Sequence, residues 1–480
     1  MLKILAGPNY KLFGVQATRE IETLLNKKVP PHTLMQQAGI RAAQLALALK
    51  PHGNVFWIAC GPGNNGGDGM EAALILKSWG KTPVVSWLGS PDTAPQDALL
   101  SYTRCCEAGI PVNEPPPKSF DFCIDALLGI GATRPVNGEM ADWVNRINDS
   151  KVPVLSLDLP SGLNGDTGTF SGISVRADIT LSLLTIKPGL FTASGRDRSG
   201  QVWFEPLVEQ ALDSLVVPSA MLLGSPIALP RPHASHKGSY GDVSVIGGAK
   251  GMTGAALLAA TAALHYGAGR VFVGLLDDQT PAIDTSQAEL MFRPVESLLN
   301  DSSTLVCGCG GALSIGACLP KIISVASKVV IDADALNCVA QDAELQKMLK
   351  LRKHRGQHTV LTPHPLEAAK LLGTQAAVIQ NNRIQAAKQL SERFECTVVL
   401  KGSGTVIASP DQTSHINPTG NARLACAGTG DVLAGMIGAR MASGLPPFTA
   451  ACQSVYFHGQ LADQWPENQT LTASALATRL

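Results

Sequence analysis

Val55-Phe56-Trp57-Ile58-Ala59-Cys60 runs directly into Gly61-Pro62-Gly63-Asn64-Asn65-Gly66-Gly67-Asp68-Gly69. The first part is continuously apolar, the mark of a strand buried on both faces. The second part is small, polar and turn-forming, and a helical pattern follows from Met70 to Trp79. Strand, glycine loop and helix in that order cradle phosphates. The glycine spacing is neither the dinucleotide fingerprint nor a Walker loop. Two asparagines and an aspartate stand among the glycines, and an asparagine side chain both donates and accepts. The stretch therefore reads as a loop for a polar ligand, with a cation as a second candidate, rather than as a plain Gly/Asn turn.

Upstream, residues 1–50 read as helical. Thr18-Arg19-Glu20-Ile21-Glu22 resembles a capped start, and Pro31 can open a second helix ending at Leu49. Downstream, strands recur at α/β intervals over Thr82–Leu88, Phe120–Ala126 and Val152–Leu157. The third of these ends in Asp158-Leu159-Pro160-Ser161-Gly162, and the second ends at Asp125 and Ala126 before Leu127-Leu128-Gly129-Ile130-Gly131. Open α/β sheets place their sites at strand C-termini. Taken alone, Asp125 and Asp158 read equally well as loop caps. Three polar glycine-containing loops after three strands point to one shared crevice.

From Asp213 to Lys237 the periodicity fails, and Pro218, Pro226, Pro230 and Pro232 oppose any helix or central strand. The stretch reads as a linker to a second domain. There the alternation resumes, with strands at Asp242–Gly248, Arg270–Leu275, Thr304–Cys307, Val329–Asp332, Thr359–Thr362 and Cys396–Leu400. Met252-Thr253-Gly254-Ala255-Ala256 follows the first of these, then a helix of small residues to Tyr266, stopped by Gly267-Ala268-Gly269. A second sheet with helices on both faces is expected. His364 sits between two prolines. A lone histidine is more often structural, but its place at a strand end favours a site. Near the C-terminal end, Ala427-Gly428-Thr429-Gly430-Asp431 precedes a helix of small and apolar residues. Converging amides at a helix N-terminus bind anions. Asp431 there either caps the helix or faces a bound phosphoryl group as a base. The stretch alone leaves both open.

At 480 residues the chain suits two domains. Lys+Arg and Asp+Glu both number 38, and the balance argues against a nucleic-acid binder. No apolar run is long enough to span a membrane, and the start is too short for a signal-peptide core. The 11 cysteines form no CxxC pair. Cys307 and Cys309 flank a glycine without a His/Cys cluster at zinc spacing. Buried free thiols in a reducing cytoplasm are expected.

GPGNNGGDG, DALLGIGATR and LDLPSGLNGDTG together resemble the N-terminal domain of the bifunctional NAD(P)H-hydrate repair enzymes, an NAD(P)HX epimerase. HKGSYGDVSVIGG, GMTGAALLAATAALHYGAGRV, DADALN, TPHPLE, KGSGT and AGTGDVLAG resemble the usual C-terminal partner, the ADP-dependent NAD(P)HX dehydratase of ribokinase-like fold. The resemblance implies a Rossmann-like three-layer sandwich over residues 1–215, a linker over 216–235 and a ribokinase-like three-layer sandwich over 236–480. In the epimerase domain it implies that Asn64, Asn65, Gly66, Gly67 and Asp68 contact the hydrated nucleotide. So would Gly129, Ile130, Gly131, Ala132, Thr133, Arg134 and Pro135. Asp158 would be the acid/base group, and Asn65, Asp125 and Ser161 would ligate potassium. In the dehydratase domain, Ala255, Ala256, Gly310, His364 and Asp431 would contact the hydrate. Lys401, Gly402, Ser403, Gly404, Thr405 and Gly430 would hold the adenine nucleotide. Leu366 stands where the family commonly has glycine, and Cys309 where it often has proline.

The chemistry this implies begins with hydroxide, a poor leaving group at C6 of the hydrated ring. Asp431 is expected to take the hydroxyl proton as the oxygen attacks the terminal phosphoryl of ADP, with magnesium neutralising charge. Asp158 is expected to interconvert the C6 epimers. The expected partners are NADHX, NADPHX and ADP, in a cytoplasmic homo-oligomer that touches neither nucleic acid nor membrane. A ribokinase-like kinase of a small alcohol fits the C-terminal motifs nearly as well but leaves GPGNNGGDG without a use. A non-enzymatic nucleotide sensor is opposed by acidic residues at both centres.

Overall fold

The computed structural model describes residues 1–131, 135–208, 216–227, 231–279, 283–300 and 302–480. The chain divides into two compact units. Met1–Leu5 and Tyr10–Met221 form the first, and Ala6–Asn9 and Leu222–Leu480 the second. The strands, in chain order, are β1 (Leu2–Lys3), β2 (Tyr10–Leu12), β3 (Val55–Cys60), β4 (Thr82–Trp87), β5 (Phe122–Ala126), β6 (Val154–Leu157), β7 (Ile179–Leu183), β8 (Gln201–Glu205) and β9 (Ala220–Leu222). They continue as β10 (Asp242–Gly247), β11 (Arg270–Leu275), β12 (Met291–Phe292), β13 (Thr304–Cys307), β14 (Lys328–Ile331), β15 (His358–Leu361), β16 (Thr397–Leu400), β17 (Val406–Ser409) and β18 (Gln412–Ile416). β9 falls where the sequence reading has only linker, because Pro218 and Pro226 flank this short strand rather than interrupt it.

The first unit's sheet has the order β1-β8-β7-β6-β5-β3-β4. β1 is antiparallel to β8, and the other pairs are parallel. Side chains alternate across β3. Phe56 and Ile58 join Met70, Leu76 and Phe122 on one face, against helices Thr33–Leu49 and Asn64–Ser78. Trp57 and Ala59 pack on the other face with Trp143 and Ile147 of helix Gly138–Asp149. Covering both faces is what makes the continuous apolar run necessary. The chain leaves β3 for β4 on one side and returns to β5 on the other, so the sheet's switch point lies between β3 and β5.

The second unit repeats the logic. From β12 to β18 the order is β12-β11-β10-β13-β14-β15-β16-β17-β18, parallel as far as β16 and antiparallel over the last two pairs. Val243, Val245, Val306 and Val330 face helices Thr253–His265, Thr429–Ala442 and Pro447–Asp463. Ile246, Leu305, Val329 and Ile331 face the helices on the other side, among them Ala333–Gln341 and Arg383–Phe394. The architecture is therefore two three-layer α/β units, Rossmann-like and ribokinase-like, as the sequence implies. Here the switch point lies between β10 and β13, whose following loops are joined by Gly248 N–H to Cys309 O (3.0 Å) and Ala249 N–H to Gly310 O (2.7 Å).

Three local expectations change. The helix expected from Met70 starts at Asn64, so the glycine-rich stretch is mostly helix rather than loop. Its glycines serve close packing. A Cβ on Gly66 would stand 2.1 Å from Gly61 O, and one on Gly69 would stand 2.7 Å from the Ala126 Cβ. Thr18 is not a cap. It lies inside helix Val15–Asn26, where its hydroxyl donates to Gly14 O at 2.9 Å. The second helix opens at Thr33 behind His32, whose φ of +67° breaks the chain direction after Pro31. Of the cysteines, all free, Cys106 is exposed, while Cys318, Cys338 and Cys426 are half-buried and the remainder buried. Among the described residues no helix is long and apolar enough to cross a membrane.

Candidate active sites

A cavity of about 480 Å³ opens at the first unit's switch point. Asn64, Asn65 and Asp68 line it from the first turns of their helix, Gly129, Ile130 and Gly131 from the loop after β5, and Asp158 from the end of β6. Gly66 and Gly67 are buried and face away, packed on Gly61 and Met35. Pro135 is exposed outside the lining. Ala132, Thr133 and Arg134 lie outside the described residues.

Asp158 has a φ of +65°, a left-handed backbone that a non-glycine residue enters only when held there. Its N–H donates to Leu181 O at 2.8 Å. Its carboxylate pairs with the Lys187 ammonium and accepts longer bonds from the amides of Ile130 (3.3 Å) and Leu183 (3.4 Å). Lys187 is fully buried, and its Nζ also donates to Leu183 O (2.6 Å) and Thr185 O (3.0 Å). A buried ammonium persists only when paired and hydrogen-bonded in this way. Sequence reasoning missed Lys187. The available signal was a lone lysine at the end of the apolar run Leu181-Ser182-Leu183-Leu184-Thr185-Ile186.

Other acids face the same space. Burial, then Asp158 and Glu22, pushes the Asp68 carboxyl well above its usual range. Burial and Asp158 raise Glu22 as well. The cavity thus sets a carboxylate paired with an ammonium beside a carboxyl that favours its proton, a division that suits acid/base work.

Asp125 lies below, fully buried. It accepts from Ser161 Oγ (2.5 Å), Ser156 Oγ (2.6 Å), Ser161 N–H (2.9 Å) and Leu127 N–H (3.3 Å). Burial raises its carboxyl, opposed by these bonds. All four partners are neutral. Asn65 Nδ2 is buried with no partner, and turning that amide would present its oxygen instead. A buried acid with neutral donors, a serine hydroxyl and an orphaned amide fit a monovalent cation that prefers hard oxygens.

In the second unit, Gly428 caps helix Thr429–Ala442 with a φ of +91° and puts Asp431 in its first turn. Asp431's side-chain partner is the Cys309 thiol. Burial, then Asp332, raises its carboxyl to about 6. Lys401 Nζ donates to Asp332 Oδ1 at 2.6 Å and lies 3.3 Å from where a Cβ on Gly430 would sit. Thr362 Oγ1 also donates to Asp332, at 2.8 Å. Burial works against the Lys401 charge, but Asp332 and Glu367 outweigh it and lift its pKa. Lys401 thus spans from Asp332 to the helix start, while Gly402 (φ +133°) and Gly404 (φ +62°) carry the turn through Ser403 to Thr405, whose hydroxyl donates to Gly402 O.

His364 caps helix Pro365–Leu372. Its Nδ1 accepts from the amides of Leu366 (3.0 Å) and Glu367 (3.3 Å), and Glu367 Oε2 accepts the His364 N–H at 2.8 Å. Nε2 therefore carries the proton of the neutral ring. Burial and then Lys401 lower the His364 pKa, while burial raises Glu367 to about 7. Gly310 (φ +59°) abuts Ala255, whose Cβ lies 2.9 Å from a Cβ built on it. Ala256 is fully buried in the core. Leu366 is 52% exposed and Cys309 is fully buried.

Donor atoms of Cys309, Asp332 and Asp431 lie within 4.8 Å of one another. The two carboxylates suit magnesium, which takes one or two acids plus substrate phosphates, and the thiol does not. Asp332 and Glu367 are the acids that sequence reasoning passed over. Both sit at loaded strand ends, in DADALN and TPHPLE, where acids can also be plain caps.

Comparison with known proteins fits both halves. Residues 31–189 match the family model described as YjeF-related protein N-terminus, and residues 243–480 match NAD(P)H-hydrate dehydratase. The bifunctional NAD(P)H-hydrate repair enzyme Nnr of Escherichia coli (strain K12) is 34% identical over 452 residues, covering 90% of this chain and 85% of that protein. The enzyme of that name from Coxiella burnetii (strain RSA 493 / Nine Mile phase I) is 33% identical over 474 residues, 95% of each. The ADP-dependent (S)-NAD(P)H-hydrate dehydratase of Neisseria meningitidis serogroup B (strain ATCC BAA-335 / MC58) is 42% identical over 254 residues, covering 52% of this chain and 84% of that one. With identity sustained across both units, the chain belongs to the bifunctional NAD(P)H-hydrate repair enzyme family.

Proposed function

We propose that the chain repairs hydrated NADH and NADPH, the first unit as the NAD(P)HX epimerase and the second as the ADP-dependent dehydratase. The observation that carries this reading is the pair of separate acid centres at two switch points: Asp158 with Lys187 in the first unit, and Asp431 beside Lys401 in the second.

In the first unit, Asn64, Asn65, Asp68 and the loop from Gly129 would bind the hydrate. Asp158 would take and return a proton at the C6 centre, held in place by Lys187, with the Asp68 carboxyl, raised by burial, as a complementary acid. Asn65, Asp125 and Ser161 would hold potassium, which would supply a positive charge to the site.

In the second unit, ADP would lie along Lys401 to Thr405 with its terminal phosphoryl at the amides of Gly428 to Gly430. Asp431 would accept the C6 hydroxyl proton while that oxygen attacks the phosphoryl, releasing AMP. The ring nitrogen then expels phosphate, and loss of the C5 proton restores NAD(P)H. Asp332 and Asp431 would hold magnesium, which neutralises phosphate charge. The proposal includes a homo-oligomer in a reducing cytoplasm, where the free thiols are stable.

The test is recovery of dihydronicotinamide absorbance from both NADPHX epimers with ADP and magnesium. Complete recovery is expected. Recovery that stops near half would remove the epimerase assignment. Absence of recovery with either ADP or ATP would remove the repair reading and leave a small-alcohol kinase.

A further inference from the structure

The second unit has another cavity, of about 300 Å³, away from the residues above. Arg231, Arg440 and Arg479 line it together with His265, Phe457 and Leu461. Each guanidinium lies over an aromatic ring: Arg231 over Tyr240 (4.3 Å to the centroid), Arg440 over Tyr266 (4.0 Å) and Arg479 over Trp465 (4.1 Å). Stacking fixes the guanidinium planes and leaves N–H edges for planar oxygen acceptors. The acceptors of Arg231 and Arg479 are neutral. Arg231 donates to Gly267 O and Arg479 to Gln469 Oε1, both at 3.1 Å. Elsewhere in this unit Arg270 has its own acid, Asp242 at 2.6 Å. No aspartate or glutamate lines this cavity among the described residues. The Nε of Arg440 is buried with no acceptor. The three arginines leave a local excess of positive charge in a chain whose formal net charge is zero.

We propose that this cavity is a second anion site, which binds the linked phosphates of a diphosphate-bearing ligand. Three stacked guanidinium groups meet no aspartate or glutamate in the described lining, and bidentate Arg–phosphate pairing uses their geometry. At about 300 Å³ the space is at the lower end for ligand pockets. It suits a diphosphate group rather than a whole dinucleotide. It is also separate from the dehydratase centre. Arg440 lies nine residues after Asp431 on helix Thr429–Ala442, about 13 Å along the axis.

Isothermal titration of the full chain with inorganic pyrophosphate, compared with Arg440→Gln and Arg479→Gln, tests this. Losing one charge-assisted pair should weaken one saturable event of the isotherm about tenfold or more in each variant. Raising the salt should weaken that event further. Arg479 is exposed at the rim, so Arg479→Gln should keep its fold and its turnover with ADP even if Arg440→Gln disturbs packing on Tyr266. Pyrophosphate that fails to bind, or isotherms unchanged in Arg479→Gln, would overturn the assignment.

Discussion

At Asp431, burial and the neighbouring Asp332 lift the carboxyl to about 6, so the group changes charge just below neutral pH. In an unfolded chain an aspartate titrates near 3.9. The folded state therefore binds this proton more tightly, and the ionised carboxylate lowers stability at neutral pH. The loss is complete above about pH 6 and disappears as the pH falls through the unfolded value. Asp431→Asn should raise Tm at pH 7.5 by a few degrees, and calorimetry across pH should show the gain fading between 6 and 4. The same variant should lose dehydratase turnover at least a hundredfold, while wild-type kcat/KM should fall tenfold per unit below about pH 6. Unchanged turnover in Asp431→Asn would exclude the base role. Lys187 makes a second case. Lys187→Met leaves the Asp158 carboxylate only the two longer bonds from the Ile130 and Leu183 amides and should reduce epimer interconversion, followed by NMR, about a hundredfold without touching dehydration. Breaking a buried pair costs about 3 kcal/mol, so a lower unfolding midpoint should accompany it. Asp158 was legible in the sequence because it ends a strand. Lys187 was not, since its partner stands 29 residues away and only folding joins them.

Elements show why the strands were easier to read than their connections. β3 is apolar throughout, and β5, β6 and β13 depart from that at one residue each (Asp125, Ser156 and Thr304), because helices cover both faces, and that pattern survives without any knowledge of partners. β7 and β8, as well as the antiparallel β17 and β18, escaped. β8 and β18 carry charged or polar residues that mimic loops, as in Gln201-Val202-Trp203-Phe204-Glu205 and Gln412-Thr413-Ser414-His415-Ile416. The helix start at Asn64 was misread because its glycines suggest freedom, whereas their use is contact. Gly39 illustrates the same device, since a Cβ there would come 2.3 Å from the Glu71 Cβ, where helices Thr33–Leu49 and Asn64–Ser78 cross. Gly66→Ala, set against Gly61 O, should destabilise the chain by about 2 kcal/mol or more and weaken hydrate binding to the first unit. Chemical denaturation and epimerase KM would check both effects. A Gly63→Ala control, where a Cβ meets nothing within 4 Å, should be far milder.

Across the whole molecule, two sheets each open a crevice where strand order reverses, and each crevice holds its own acid. Asp158→Asn should therefore stop epimerisation and spare dehydration of the reactive epimer, and Asp431→Asn should do the reverse. Mixing the two purified variants should restore complete recovery of NADPH. If either single variant lost both activities at native Tm, the two centres could not be independent. The bipartite plan was readable from the prolines between the halves, but the membership of Ala6–Asn9 in the second unit was not. Four residues near the start carry no periodicity, and their affiliation depends on long-range bonds such as Gly224 N–H to Asn9 Oδ1 at 2.7 Å.

The distribution of thiols has a practical outcome. Burial pushes Cys105, Cys307 and Cys396 up to about 12, which keeps their sulfur protonated and sheltered, whereas Cys106 is open to solvent. A maleimide dye at neutral pH should attach at Cys106 first. That residue sits on helix Gln96–Glu107, nine positions and about 13 Å from Asp97, which lines the first unit's cavity. One fluorophore on the unmutated chain would thus brighten or dim as nucleotide enters that cavity, giving an optical signal for one half of the enzyme while the other half turns over.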